Sequence, residues 1–501
     1  MAKLLIGWSE QDITPKKKIP LAGQFAERIS EYVEKPLTVT AMAVECGGDQ
    51  MVLVSTDLPS FRYGALLRVR ELLKDNGLGL DPAKVMVSAI HTHTSYTPGG
   101  QNRWQYQAGS TAGYRDVLFS SLKPGQKYVE KAKVTDNPEI ANAEERFEIA
   151  TQGVAKAALE AWKNRGEASF SNDFDRAAVG MCRRAAYSDD TAQMWGNTNT
   201  AVFTAVEGGN DSGVELLYVF NGEKKLSGIV VNLACPAQCV QHRLFVSPDF
   251  WGETKKLLRE RFGEELFMLP LCSAAGDQCP VDLVRWVEPE SDLNDPNITR
   301  VNPPKRKADP SMFDLAGMKK AGKRVANAVI EAYEEGLDEA QSDIVFEHHV
   351  HNMQLPIRRV TLSEYNSCCK AVKDFCREKD DDVNYVDVAN LQRYLGVIKR
   401  FELQEKLEAL DTEVHIIRMG SVAFATNPFE LFLDYGNQIK ARAKCEQTFL
   451  VQLCCGAEGY LPTETAERHG HYSAFVGSGT VGHVGGDLLV RETLKDINSM
   501  F

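Results

Sequence analysis

Two histidines separated by one residue follow directly after an apolar run in the first quarter of the chain. Residues 84–90 have the character of a strand, and His91, Thr92 and His93 come next. Residues two apart in an extended segment point to the same side, so both imidazoles can approach one centre. Neutral imidazole is the commonest protein ligand for zinc. The spacing indicates either a metal site or a histidine pair satisfied within a turn.

A second polar segment follows the strand-like run 227–232. Cys235 comes first, then His242 and Arg243, and then Asp249 at the start of a helical run. Ligands in open α/β sheets bind beyond the carboxyl ends of strands, which is where this segment would lie. Asp249 fits a helix N-cap as well as a functional role.

A third segment places a carboxylate at the tip of a tight turn. The strand-like run 266–271 opens into small residues and then Gly276, Asp277 and Gln278. An aspartate in such a position either closes an Asx-turn on its own backbone or faces a site.

The fourth set comes from two segments near the end of the chain. Asn427, Pro428, Phe429 and Glu430 follow one strand-like run, and Tyr460 lies beyond the next. Glu430 would occupy the first turn of a predicted helix, where negative charge is favourable. Tyr460 taken alone would be a packing residue. Only as a group do these residues indicate a site.

The elements that must position these side chains alternate between strand-like and helix-like patterns. Strands are predicted at 37–44, 51–55, 84–90, 216–220, 227–232, 266–271, 413–417, 421–425 and 448–453, and helices at 65–73, 144–162, 250–262, 315–335, 362–378, 386–410, 430–442 and 486–497. This order predicts an α/β layered mixed-sheet fold with helices on both sides. Prolines and asparagines predict a loop over 288–309.

Composition narrows the class of protein. Of the 501 residues, 43% are hydrophobic and 25% are charged, as in an ordinary soluble globular protein. The net charge of -12 argues against nucleic acid as a partner. No apolar run approaches the ~20 residues of an integral membrane segment, and no signal sequence opens the chain. We therefore expect a cytoplasmic protein with a small-molecule substrate and twelve reduced cysteines.

The order of these motifs resembles the neutral/alkaline non-lysosomal ceramidase family. The resemblance runs over essentially the whole chain: Asp12-Ile-Thr-Pro15, His91-Thr-His93, Gly276-Asp277, Asn427-Pro-Phe-Glu430 and Tyr460-Leu-Pro-Thr463. It implies that residues 1–501 form a single ceramidase-like catalytic domain, without the family's C-terminal immunoglobulin-like domain.

The resemblance also implies a catalytic zinc. His91, Glu430 and Tyr460 match family ligands, and His93 matches a histidine that contacts the substrate or the tetrahedral intermediate. Zinc lowers the pKa of its water to about 7, which suits amide hydrolysis.

This chain departs from the family at the second zinc-binding histidine. The family's His-Pro pair corresponds to Cys235 and Pro236. The missing ligand is then a Cys235 thiolate or His242 from the same loop, with His469 and His471 as further candidates. The turn after His93 also carries three additional residues, Ser95-Tyr-Thr97.

The sequence thus predicts a metal-dependent hydrolase, with zinc as the expected metal. We assign His91, His242, Glu430 and Tyr460 to the metal, His93 and Asp249 to catalysis, and Asp277, Gln278 and Arg243 to substrate binding. Polar loop residues such as Arg103 and Trp104 suit a sugar-like ligand as well as an N-acyl lipid. Two alternatives stay open: a carbohydrate-cleaving hydrolase or lyase using the same cleft, and a non-catalytic binding protein with a degraded metal site.

Overall fold

The computed structural model describes residues 3–24, 27–109, 113–129, 137–285 and 312–501; the predicted loop at 288–309 lies outside them. In chain order the strands are β1 (Leu5–Asp12), β2 (Pro20–Leu21), β3 (Arg28–Ile29), β4 (Tyr32–Val33), β5 (Thr38–Cys46), β6 (Asp49–Thr56), β7 (Val85–Ala89), β8 (Tyr128–Val129), β9 (Gly166–Arg176), β10 (Met181–Cys182), β11 (Arg184–Tyr187), β12 (Ala192–Met194), β13 (Phe203–Val206), β14 (Gly213–Asn221), β15 (Leu226–Leu233), β16 (Phe245–Val246), β17 (Phe267–Cys272), β18 (Gln278–Cys279), β19 (Phe346–Pro356), β20 (Val383–Asn384), β21 (Ala409–Met419), β22 (Val422–Thr426), β23 (Glu430–Leu431), β24 (Gln447–Val451) and β25 (Tyr460–Leu461).

The helices of the described residues lie between and after these strands. They are α1 (Tyr63–Leu72), α2 (Arg103–Ala108), α3 (Gly113–Ser121), α4 (Ala143–Lys163), α5 (Phe250–Phe262), α6 (Asp314–Glu335), α7 (Leu362–Glu378), α8 (Tyr385–Asn390), α9 (Gln392–Leu403), α10 (Leu433–Arg442), α11 (Glu464–His469) and α12 (His483–Met500). In the described ranges no helix is both long and apolar enough to cross a membrane.

The larger sheet has eight strands in the order β17-β15-β14-β9-β1-β5-β6-β7. Its outer pairs, β17 with β15 and β6 with β7, are parallel, and the strands between them are antiparallel. Helix α4 lies very close to β1. A Cβ atom placed on Gly7 would be only 2.2 Å from the carbonyl oxygen of Ala161. Glycine is the residue that permits this approach of helix to strand.

A second sheet, in the order β19-β21-β22-β24, packs against the larger one. Alternation along β22 divides its two faces. Phe424 packs into the core of the larger sheet, whereas Ala423 and Ala425 pack with apolar residues of α10 and α12. The α/β layered mixed-sheet prediction is confirmed, with two facing sheets between the helical layers.

Most predicted elements have counterparts in the structure. Helices predicted at 250–262 and 362–378 coincide with α5 and α7, while the predicted helix 386–410 is divided into α8 and α9 and ends at Leu403. Residues 409–410, assigned to that helix, begin β21 instead. These residues form a strand because they pair with β19, which is distant in the sequence. The local spacing of apolar residues gives no sign of that pairing.

Three parallel strand pairs end at one edge of the two sheets. They are β6 with β7, β15 with β17, and β22 with β24. Backbone hydrogen bonds tie the ends together, from Gln452 N to Cys272 O (3.0 Å) and from Cys455 N to Val87 O (2.9 Å). The segments that follow these strands therefore meet at the same place, as expected for the carboxyl ends of parallel strands.

Candidate metal-binding and catalytic site

His91 leaves strand β7 with a left-handed backbone, at φ 63°. A non-glycine residue holds this conformation only where its surroundings fix it. Here the His91 amide donates to Leu58 O (3.1 Å) and Nδ1 lies 2.6 Å from Pro59 O. Because a carbonyl oxygen only accepts, Nδ1 carries the proton. Nε2 faces Oε2 of Glu430 at 3.4 Å.

Glu430 and Tyr460 are direct neighbours across a short parallel ladder, β23 with β25. The Glu430 amide donates to Gly459 O at 2.9 Å, which fixes the two segments against each other. On the other side, a Cβ on Gly276 would lie 2.3 Å from the Glu430 carbonyl oxygen. The glycine of the Gly-Asp turn is therefore needed for the close packing of this turn on the Glu430 segment.

Arg183 brings a positive charge to the same point. Its Nη2 donates to Tyr460 Oη (3.3 Å) and Gly276 O (3.0 Å), and its Nη1 donates to Gln238 Oε1 (3.3 Å). The backbone amide of Arg183 donates to Asp277 O at 2.9 Å, which sets the position of the side chain. The guanidinium is buried, so it acts on its neighbours with little screening by water.

The charge of the buried Glu430 carboxylate depends on three neighbours. Burial alone would raise the pKa of Glu430, but His91, Tyr460 and Arg183 outweigh it, and the pKa is lowered. The carboxylate is therefore ionised. Burial raises the pKa of Tyr460 well above its ordinary value, so its phenol stays protonated and donates to Glu430. Tyr472 hydrogen-bonds the same phenol, with ring centroids 5.5 Å apart.

His93 lies beside His91, with ring centroids 5.0 Å apart, and both of its nitrogens have partners. Nδ1 is 3.0 Å from Gln241 Oε1, and Nε2 is 3.1 Å from the amide nitrogen of Gln238. These contacts assign the proton to Nδ1 and leave Nε2 as an acceptor. Burial is the first reason that the pKa of His93 is well below its ordinary value. The imidazole is thus neutral and held in one orientation.

The donors at His91 fit a metal ion. The His91 Nε2 lone pair and the Glu430 carboxylate face each other at 3.4 Å, so a cation, either a proton or a metal ion, belongs between them. An imidazole nitrogen and a carboxylate oxygen are ordinary zinc ligands. The Tyr460 phenol hydrogen-bonds the same carboxylate. The two side chains expose 12% and 16% of their surface, so a small ligand can reach them.

Comparison with known proteins shows what this arrangement of sheets and loops is similar to. No family model matches the chain, and no curated protein sequence matches it. The crystal structure of neutral ceramidase from Pseudomonas aeruginosa superposes with a TM-score of 0.66, covering 100% of this chain and 75% of that one at 14% identity. A ceramidase complexed with C2 gives the same TM-score and coverage at 13% identity. This chain has a ceramidase-like fold.

Two residues of the predicted site lie together elsewhere in the ceramidase-like fold. His242 Nε2 is 3.1 Å from Asp314 Oδ1, and its ring stacks on Phe313. Arg243 grips both oxygens of Asp314 at 2.7 Å. His242 thus directs its Nε2 to Asp314 rather than to Glu430, and Arg243 is engaged by the same carboxylate.

Cys235 is a buried thiol whose hydrogen bond lies within its own loop. Its Sγ donates to Pro236 O (3.5 Å), and burial raises the pKa of the thiol well above its ordinary value. Within the described ranges, no third His, Cys, Asp or Glu joins His91 and Glu430 with ligand atoms all within 4.8 Å. The cluster therefore offers three protein ligands, counting Tyr460.

Asp249 caps helix α5 and also clamps the preceding loop. Its Oδ1 accepts from Phe250 N (2.6 Å) and its Oδ2 from Val240 N (2.9 Å). Both carboxylate oxygens are therefore occupied by backbone amides. This is the N-cap role that the sequence allowed, and it places the carboxylate in the support of the Gln238 loop.

Asp277 and Gln278 belong to the turn that contacts the backbone of Arg183. Asp277 Oδ1 accepts from Leu433 N (2.9 Å), and Gln278 Nε2 donates to Gly209 O (3.1 Å). The structure gives both residues contacts within the protein, while the Asp277 carbonyl positions the Arg183 amide. Their predicted contact with substrate stays a prediction.

His469 and His471 also have partners away from His91. His469 lies between Glu207 (2.8 Å) and Asp190 (3.2 Å). His471 Nδ1 accepts from Met194 N at 3.1 Å, and burial lowers its pKa to about 4. In this arrangement neither ring takes the place of the missing ligand.

Sequence reasoning missed Arg183, Gln238, Gln241 and Tyr472. A signal for Arg183 is present: Arg183 and Arg184 stand together within an otherwise apolar stretch of small residues, 177–187. Charged residues in such a stretch are either exposed or paired inside, and both of these are buried. The two glutamines and Tyr472 lie in loops, where no periodic pattern identifies them.

A second group that could hold a metal ion contains none of these residues. Glu413, His415 and Cys455 are buried, and one ligand atom from each lies within 4.8 Å of the others.

The buried carboxyl of Asp249 makes a pH-dependent contribution that an asparagine lacks. Burial raises its pKa from 3.8 to about 6, so the unfolded chain loses this proton at lower pH than the folded protein. Stability from Asp249 is therefore present below about pH 4 and is lost as pH rises to about 6. We expect Asp249→Asn to gain about 3 kcal/mol relative to wild type between about pH 3.5 and 6.5. Urea unfolding of both proteins across this range measures it, and parallel stability curves would contradict it.

Proposed function

We propose that this chain is a metal-dependent hydrolase that cleaves an amide bond at the His91 cluster. One observation carries the proposal: His91 Nε2 and the Glu430 carboxylate face each other at 3.4 Å beside two donors, Tyr460 and Arg183. A metal-binding pair, a phenol and a guanidinium at one strand-end edge are the groups that acyl transfer needs. The fold supports the proposal, because the solved structures that this chain resembles are ceramidases.

His91, Glu430 and Tyr460 would hold the metal ion, with zinc as the expected metal. When bound, the metal activates a water molecule and polarises the scissile carbonyl. The Arg183 guanidinium would stabilise the negative charge that develops on the carbonyl oxygen of the substrate. Its hydrogen bonds to Gly276 O and Gln238 Oε1 keep it in place before the substrate arrives.

His93 handles the proton in this proposal. Its Nδ1–H is fixed on Gln241, which leaves Nε2 as the basic atom, covered by the Gln238 amide. When a substrate turns Gln238 aside, Nε2 takes a proton from the attacking water and returns it to the leaving nitrogen. The oxygen of the water becomes one oxygen of the new carboxyl group, the C–N bond breaks, and the amine leaves with the transferred proton.

The groups around His93 favour a polar N-acyl substrate. Gln238, Gln241 and Arg183 surround the imidazole with amide and guanidinium groups, which recognise hydrogen-bonding atoms rather than hydrocarbon. We propose an amide with a polar or sugar-like portion at this end.

A second candidate function is binding without catalysis. The observation in its favour is Cys235, a neutral thiol at the position where the resembling family has a zinc-binding histidine. A three-ligand site that binds metal and ligand but turns over no substrate would fit this function.

The test uses wild-type protein stripped of metal with a chelator and reloaded with zinc. N-acyl amino acids, N-acyl amino sugars and ceramide are assayed for amine release, and a panel of oligosaccharides for new reducing ends. We expect zinc-dependent amine release, fastest with the N-acyl amino sugars. Zinc bound at one equivalent with no amine release favours the binding function, and new reducing ends favour the carbohydrate-cleaving alternative.

A further inference from the structure

A buried set of three different ligand types lies between the two sheets. Glu413 and His415 are two residues apart on β21 and share a face, and Cys455 follows β24. His415 Nε2 is 3.0 Å from Glu413 Oε1 and 3.6 Å from Cys455 Sγ. In a tetrahedral site with the bond lengths of zinc, about 2.3 Å to sulfur and about 2.0 Å to nitrogen, two ligand atoms lie about 3.5 Å apart. The sulfur-to-nitrogen distance matches this spacing.

The proton positions leave His415 Nε2 in need of a cation. His348 Nδ1 lies 2.9 Å from the Gln50 carbonyl oxygen and therefore carries a proton. With its proton on Nδ1, the His348 ring accepts at Nε2 from His415 Nδ1, 2.9 Å away. His415 Nε2 then faces the carboxylate of Glu413. A bare lone pair there would be repelled, so the position holds either a proton or a metal ion.

We propose that Glu413, His415 and Cys455 form a second metal site, for a soft, singly charged cation of the Cu(I) class. Thiolate and imidazole ligands together select soft ions. His348 orients the ligating ring by accepting a hydrogen bond from its other nitrogen, as hydrogen-bond partners of metal-binding histidines do. The backbone of Cys455 is fixed in a left-handed conformation, at φ 58°, and its amide donates to Val87 O. This fixes the position from which the thiol extends. The next sulfur, Cys454 Sγ, is 4.0 Å from Cys455 Sγ.

The neighbouring charges decide between one and two positive charges on the ion. Arg70 binds both oxygens of Glu413, at 2.7 and 3.1 Å, and Arg103 binds the second oxygen at 3.2 Å. With Cys455 binding as the thiolate, a singly charged ion in place of the proton between His415 and Glu413 leaves the charge of this buried group unchanged. A doubly charged ion such as Zn²⁺ adds one more positive charge where both oxygens of the only carboxylate ligand are already bound by guanidinium groups, which is costly in the interior.

The test titrates reduced, metal-free protein with Cu(I) under anaerobic conditions against a competing chelator. Zn²⁺ is titrated separately. We expect one tightly bound Cu(I), and a copper-edge absorption spectrum of the wild type with one sulfur and one or two nitrogen or oxygen neighbours. His415→Gln and Cys455→Ser should each lower the affinity by more than about 100-fold. His348→Gln should lower it by about 10–100-fold, the usual cost of losing the hydrogen-bond partner of a metal-binding histidine. Cys376→Ser, at a buried cysteine of α7, is the matched control and should bind as wild type does.

The spectrum of the wild type keeps the proposal testable if a variant fails to fold. Copper with no sulfur neighbour would overturn it, and so would Zn²⁺ bound at Cys455 as tightly as Cu(I). His91→Ala should keep the Cu(I) site and lose the zinc-dependent amide cleavage. The second site and the proposed hydrolase can therefore fail independently.

Discussion

Replacing Arg183 with methionine is expected to lower the free energy of unfolding by about 3–5 kcal/mol. The guanidinium is buried, with only 4% of the residue exposed, and it is one of the groups that keep Glu430 ionised. Methionine fills much of the same volume, so the cost comes from the uncompensated carboxylate and from the carbonyl groups of Gly276 and Gln238 that lose a donor. Urea unfolding of metal-free protein at neutral pH measures the difference.

Arg243→Met is the matched control for this prediction. Arg243 also pairs with a carboxylate, but 31% of its side chain is exposed and His242 still contacts Asp314 when it is gone. We expect a loss of no more than about 1 kcal/mol there, as for partly exposed ion pairs. The double variant Arg183→Met with Glu430→Gln should recover part of the loss, since both charges are then absent. Equal losses in the two single variants would show that Arg183 does not balance a buried charge.

Elements with strong local signals could be predicted from the sequence. Helices α5 and α7 begin after Asp249 and Thr361, whose side chains accept from backbone amides of the first turn. Such caps depend on neighbouring residues alone, so the sequence predicts where these helices begin. Strands such as β9 and β19 were not predicted, because pairing with distant strands forms them.

The candidate site divides in the same way. His91, Glu430 and Tyr460 each follow the end of a strand, and their motifs lie in order along the chain, so the sequence points to all three. The positions of Arg183 and His242 depend on contacts that no local pattern shows. The Arg183 amide is held by the Asp277 carbonyl, and His242 by Asp314, 72 residues away. A histidine in the expected loop is therefore not enough to predict a ligand: its orientation is decided by whichever carboxylate folds against it.

Glu430→Gln is expected to abolish metal retention and to lower the rate of amide cleavage at least about 1,000-fold. Glutamine keeps the size and the acceptor for Tyr460 but removes the negative charge, and a neutral amide is a weaker ligand for a divalent cation. The His91 Nε2 lone pair then lacks its charged partner across the 3.4 Å gap. Metal analysis after dialysis against buffer measures the first effect, and the initial rate of amine release with excess zinc measures the second.

Glu458→Gln separates the role of Glu430 from a general effect of buried glutamates at this edge. Glu458 is also buried, but its Oε1 accepts from the Arg103 amide at 2.7 Å, a contact that the amide oxygen of glutamine can keep. We expect its metal content and rate to stay within about threefold of wild type. The combination of His91→Ala with Glu430→Gln should be no slower than either variant alone, since ligands of one ion act as a unit. Additive losses would mean that the two side chains serve separate steps, and the lone pairs that face each other at this edge would then be bridged by a proton rather than by a metal ion.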